Sequence, residues 1–153
     1  MTKRLEWIAR HAADATWSAA RAAEFARELG FAPEDAWAIA ISTSELVTNA
    51  VRYAGWGRVI LRPLHDPMVG LEVRVEDRGP GIADMEAVWV DGYSAGRFVR
   101  EPQERTSLGT GLGAVRRLMD WAGMERREGG GLAVIARKWV GTVPSAARAS
   151  KAR

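Results

Sequence analysis

Apolar residues recur at three- and four-residue spacing through residues 35–53, where Ile39, Thr43, Leu46, Ala50 and Tyr53 fall on one stripe that Val47 and Val51 widen. That period predicts a helix with one buried face. Glu45 and Asn49, four residues apart with Arg52 close by, share a second, polar face. The helix thus presents a carboxylate and an amide side by side. An acceptor pair of this kind suits a hard cation, usually magnesium, and a hydroxyl or water held beside a phosphate. A polar face simply turned to water is the plainer alternative. Pro33 at a first helical position, then Glu34 and Asp35 in the first turn, start the helix, and it ends near Gly55.

The rest of the chain is read around that helix. Residues 5–8 form a short strand, and an Ala-rich helix follows from Asp14, taken as its N-cap, to Leu29, with Gly30 as its stop. Ala22, Phe25, Ala26 and Leu29 share one face of it, and Trp7 and Trp17 are packing residues. Residues 59–62 read as a strand and His65-Asp66-Pro67 as a turn. Residues 71–76 alternate apolar and charged without a break, as in a sheet covered by helices on one side only. Asp77-Arg78-Gly79-Pro80-Gly81 cannot continue that strand.

Asp84 caps a short helix through Val88, and residues 95–108 lose all apolar periodicity, as a lid or a disordered segment does. Gly109-Thr110-Gly111-Leu112-Gly113 then opens a helix carrying Val115, Leu118, Met119 and Ala122, terminated by Gly123. Strands over 124–128 and 132–140, joined by Gly129-Gly130-Gly131, close the sheet. Residues 141–153 form a basic tail with few apolar groups, expected to be frayed.

Composition narrows the function classes. A chain of 153 residues is one domain by length, here residues 1–140 and the tail. The absence of Cys excludes thiolate zinc sites and disulfides and fits a reducing compartment. With no signal-peptide core in the first ten residues and no apolar run of membrane-spanning length, a cytoplasmic protein without membrane contact is expected. The net charge of +3 comes from scattered Arg among nearly as many acids, so no clustered basic face for nucleic acid is expected.

Three glycines at a helix start gather backbone N–H groups at one point, a ready anion site. The run matches a dinucleotide fingerprint only loosely, because no strand precedes it. Asp77 at a strand end, followed by Gly79 and Gly81, offers an acceptor carboxylate beside backbone that a flat ring can approach, which an adenine amine would satisfy. An aspartate holding its own turn is the simpler reading of an isolated Asp-Arg-Gly.

Taken together, these stretches resemble a known family. Glu45-x-x-x-Asn49-Ala50-x-x-Tyr53-Ala54, Glu76-Asp77-Arg78-Gly79-Pro80-Gly81-Ile82, Asp91-Gly92-Tyr93-Ser94 and Gly109-Thr110-Gly111-Leu112-Gly113 with Arg116-Arg117-Leu118-Met119-Asp120 are similar to the N, G1 and G2 boxes of the Bergerat (GHKL) ATP-binding fold. Gyrase, heat-shock chaperone ATPases, histidine kinases and mismatch-repair ATPases share it. Within that group the chain most resembles the anti-sigma-factor serine/threonine kinases, in particular the RsbT-like switch kinases.

The resemblance implies an α/β two-layer sandwich, a mixed and mostly antiparallel sheet covered on one face by helices. It also implies that Asn49 ligates magnesium and that Glu45 orients or deprotonates the attacking hydroxyl. Asp77 would bind the adenine amine, with Gly79, Gly81 and Ile82 lining the base. Gly109, Thr110, Gly111, Leu112 and Gly113 would hold the phosphates under a lid over 95–108.

Two departures from the pattern stand out. Leu132 follows the glycine hairpin where many relatives place Thr or Ser, so that contact passes to Thr48, Ser107 or water. The lid is also longer than the resemblance suggests. Neither His11 nor His65 sits in a dimerising helix pair, so a histidine kinase is not expected.

Two functions follow from the resemblance. The first is phosphoryl transfer from Mg·ATP to a STAS-domain antagonist, releasing the kinase to a PP2C-type phosphatase or a sigma-factor pathway. The second is an ATP-gated, non-catalytic anti-sigma factor or phosphatase activator. A homodimer is compatible with either.

Overall fold

The computed structural model describes residues 3–81, 89, 93–94, 97–98 and 111–141. Its elements run β1 (Leu5–Ala9), α1 (Ala13–Glu28), α2 (Pro33–Ala54), β2 (Gly57–Leu64), β3 (Gly70–Glu76), β4 (Tyr93–Ser94), β5 (Arg97–Phe98), α3 (Leu112–Leu118), β6 (Trp121–Arg126) and β7 (Leu132–Trp139). Five strands form one sheet in the order β1-β2-β3-β7-β6, with every described pairing antiparallel. On one face of it α1 packs on α2, α2 lies against β2, β3 and β7, and α3 bridges α2 and β6. This is the expected α/β two-layer sandwich. Its core joins Ala22, Phe25 and Ala26 of α1 and Ile39, Leu46 and Val47 of α2 to Val59, Leu61, Leu71, Val73 and Val75 of the sheet.

The central helix starts at Pro33 and stops where Gly55 turns to φ +82° and donates its amide to the Val51 carbonyl. The stripe is buried as read, except that Tyr53 is 42% exposed under the Arg52 guanidinium, 5.7 Å from its ring. Asp14 is not the N-cap of α1. Ala12 holds that position, and Asp14 reaches back from the first turn to accept the amides of Arg10 (2.8 Å) and His11 (2.9 Å). Trp7 packs as read, donating its indole N–H to the Ser18 hydroxyl at 2.9 Å, whereas Trp17, edge-on to it at 5.0 Å, is 54% exposed.

Two predicted elements change length. The helix after the glycine run ends at Leu118, so Ala122 and Gly123 belong to β6. Asp120 causes the break: its amide donates to the Arg137 carbonyl (2.9 Å) while its carboxylate accepts the Trp139 amide (2.9 Å), drawing the chain into the sheet. Trp121 then lies over Gly123, where a side chain would meet its ring at 2.8 Å. Within the stretch read as lacking structure, residues 97–98 pair with 93–94. The helix expected over 84–88, the remainder of the lid and the tail from residue 142 lie outside the described residues.

On the charged face of the sheet the central carboxylates are covered by arginines that themselves reach water. Arg62, Glu72, Arg137 and Trp121 stand in one row across β2, β3, β7 and β6. Glu72, 5% exposed, accepts from Arg62 (3.0 Å) and Arg137 (2.8 Å), and the Arg137 guanidinium lies 4.5 Å from the Trp121 ring. Glu76, 8% exposed, accepts from Arg74 at 2.9 Å. Burial pushes both carboxyls upward, but the hydrogen bonds and charge of the arginines outweigh it and hold both below the usual range.

Candidate functional site

On α2 the residues Ala38, Ser42, Glu45 and Asn49 follow one another at helical spacing along one side. Glu45 is fully buried, Asn49 is half-buried one turn on, and Arg52 is exposed. The alternative of a polar face turned to water therefore fails at Glu45. Ser42 is also fully buried, and its hydroxyl has no hydrogen bond among the described residues, while Thr43 on the core side satisfies its own with the Ile39 carbonyl at 2.8 Å. Desolvating a carboxylate is costly. The helix thus hides one carboxylate inside the fold, one turn from a half-buried amide.

The loop after β3 is fastened to its surroundings. The Asp77 amide continues the ladder to the Leu132 carbonyl at 2.9 Å. Its Oδ1 accepts the amides of Gly79 (2.8 Å) and Leu132 (3.3 Å), whereas Oδ2 carries no hydrogen bond among the described residues. The turn-holding reading of this aspartate is thus met by Oδ1. From the hairpin, Arg127 donates to the Asp77 carbonyl at 2.7 Å, and Arg78 reaches back to the carbonyls of Glu128 (3.1 Å) and Gly130 (3.4 Å).

Close approach explains two glycines here. A Cβ at Gly79 would lie 2.7 Å from that of Ala54, at the end of α2, and one at Gly131 would strike the Asp77 carbonyl and the Arg78 Cα. The loop is therefore wedged between the α2 terminus and the hairpin.

At the other end, Gly111 takes φ +77° and ψ −146° immediately before α3, with open space where its side chain would be. Leu112 and Gly113 behind it are buried against the core. Arg116 of the same helix lies 4.4 Å over the ring of Trp89, itself 7% exposed. Gly109, Thr110 and Ile82 lie outside the described residues. The structure thus sets both the Asp77 loop and α3 against α2. Among the described residues no group of three or more His, Asp or Glu could cage a metal ion, so a cation here would need oxygen ligands from a bound phosphate, as magnesium commonly has.

Residues 9–138 match the family described as histidine kinase-like ATPase domain. The chain belongs to that family. It is 37% identical over 116 residues to the serine/threonine-protein kinase RsbT of Bacillus subtilis (strain 168), covering 75% of this chain and 80% of RsbT. It is accordingly an RsbT-like serine/threonine-protein kinase of the GHKL type. The crystal structure of full-length ShkA in complex with AMPPNP aligns with 90% of the chain at a TM-score of 0.52 and 20% identity, a likeness of fold. The chain spans 32% of that protein.

Three features of this family member escaped the sequence reading. The backbone amide of Leu132 bonds Asp77 directly, a contact its side chain does not decide; Ser107 lies outside the described residues. Arg127 and Arg78 stitch the Asp77 loop to the hairpin, contacts between residues 50 positions apart that no local pattern encodes. The third glycine of the hairpin was the available signal, since two suffice for a tight turn. Among the described residues no helix is long and apolar enough to cross a membrane.

Proposed function

We propose that this kinase transfers the γ-phosphoryl group of Mg·ATP to a Ser or Thr of a STAS-domain antagonist and is then released to a PP2C-type phosphatase or a sigma-factor pathway. The observation that carries this reading is the fully buried Glu45 carboxylate one helical turn from the half-buried Asn49 amide. Bound Mg·ATP supplies the phosphoryl group and a cation that neutralises its charge. Asn49 provides the protein ligand to that cation. Glu45 accepts the proton of the incoming hydroxyl and orients it for in-line attack. Asp77 reads the adenine amine through Oδ2 while Oδ1 keeps the carboxylate fixed, and the flanking Gly79, Gly81 and Ile82 let the base approach. The amides of residues 109–113 hold the phosphates beneath the lid.

Phosphorylating the antagonist adds nearly two negative charges, enough to weaken an interface built for a neutral hydroxyl. The test is transfer of labelled γ-phosphate to a STAS-domain protein encoded beside this chain. Label on one Ser or Thr, lost in Glu45→Ala and Asn49→Ala, is expected. ATP and partner binding without label would leave an ATP-gated binding protein as the better description.

A further inference from the structure

Lys138 of β7 lies where three elements meet. Its ammonium donates to the carbonyl of Leu118, the last residue of α3, at 2.9 Å, and lies 3.7 Å from Asp35 in the first turn of α2. The side chain is 14% exposed. A helix of seven residues cannot hold its own direction. Its last carbonyls have no partners within it, and a cation there meets both the orphan groups and the negative end of the helix dipole.

We infer that Lys138 is a positioning residue for the phosphate half of the nucleotide site, an inference that rests on the ATP reading above. One ammonium fixes the helix that follows Gly111 and contains Gly113 to the helix that carries Glu45 and Asn49. The base half has separate fastenings: the Leu132 amide on Asp77, Arg127 on the Asp77 carbonyl, and Arg78 on the hairpin. The two halves thus have different side-chain fastenings, and removing Lys138 loosens only the one at α3.

Calorimetric titration of the full chain with Mg·ATP and, separately, with adenosine tests this. Lys138→Met is expected to weaken Mg·ATP binding about tenfold, the worth of a lost charge-assisted hydrogen bond, while adenosine affinity stays within about twofold. Lys138→Arg should restore most of the loss, and Lys138→Gln, which keeps a donor but not the charge, should fall between. Adenosine binding also reports that each variant is folded. Equal losses for both ligands in Lys138→Met and Lys138→Gln, or an unchanged Mg·ATP affinity, would overturn the inference and leave the ATP reading intact. A wild-type chain that binds Mg·ATP no better than adenosine would remove the reading and the inference together.

Discussion

Glu45 and Asp77 are both carboxylates of one candidate site, yet the fold treats them in opposite ways. Glu45 is sealed within α2, with core residues on the neighbouring stripe. Asp77 sits half-buried at a strand end, one oxygen pinned by two backbone amides and the other unengaged among the described residues. A pinned carboxylate is a reader, because its direction is set before the ligand arrives. A buried one in a dry setting interacts strongly with whatever proton or charge comes near. The contrast matches the proposed division of labour, recognition at Asp77 and chemistry at Glu45.

The largest expected effect separates those roles. Glu45→Ala should lower phosphoryl transfer by about a hundredfold or more with ATP affinity nearly unchanged, read from initial rates and a parallel binding titration. Asp77→Asn should do the reverse, weakening ATP binding about tenfold to a hundredfold, with turnover recovered at high ATP. Gly131→Ala sharpens the reader side. Its φ of +91° and the collision with the Asp77 carbonyl should cost about 1–3 kcal/mol of stability and lower ATP affinity without changing turnover at saturation. Chemical denaturation and a titration check both parts.

The smallest effect concerns carboxylates outside the site. Glu72 and Glu76 have folded-state values below their unfolded ones, so their contribution is complete above the unfolded value of about 4.3 and is lost as pH falls through the lower folded values. Glu72→Gln should cost about 1 kcal/mol at neutral pH, since Arg62 is half-exposed and screened, and should flatten the decline of stability below about pH 4. Urea unfolding at several pH values measures it.

Much of this was legible in the sequence because the information is local. The helical period marks α2, the unbroken alternation over 71–76 marks β3, and Asp77-x-Gly79-x-Gly81 marks a strand end that must turn. Glu45 could be placed on a polar stripe but not inside the protein, because burial depends on what lies across from a helix, and that is set by the fold. The early stop of α3 and the strand start at Trp121 depend on Asp120 meeting β7, again a distant partner. The outer face follows the same rule: alternation places Glu72 and Glu76 on it, and Arg74 reaches Glu76 from the same strand, but only strand register brings Arg62 and Arg137 over Glu72.

The most direct test sets the two site carboxylates side by side in one experiment: labelled phosphoryl transfer to the STAS-domain partner across a range of Mg·ATP concentrations, for wild type, Glu45→Ala and Asp77→Asn. Asp77→Asn is expected to approach the wild-type rate as ATP is raised, whereas Glu45→Ala stays inactive at every concentration although it binds ATP. A Glu45→Ala chain that transfers phosphate at the wild-type rate, or an Asp77→Asn chain that no ATP concentration rescues, would contradict this expectation.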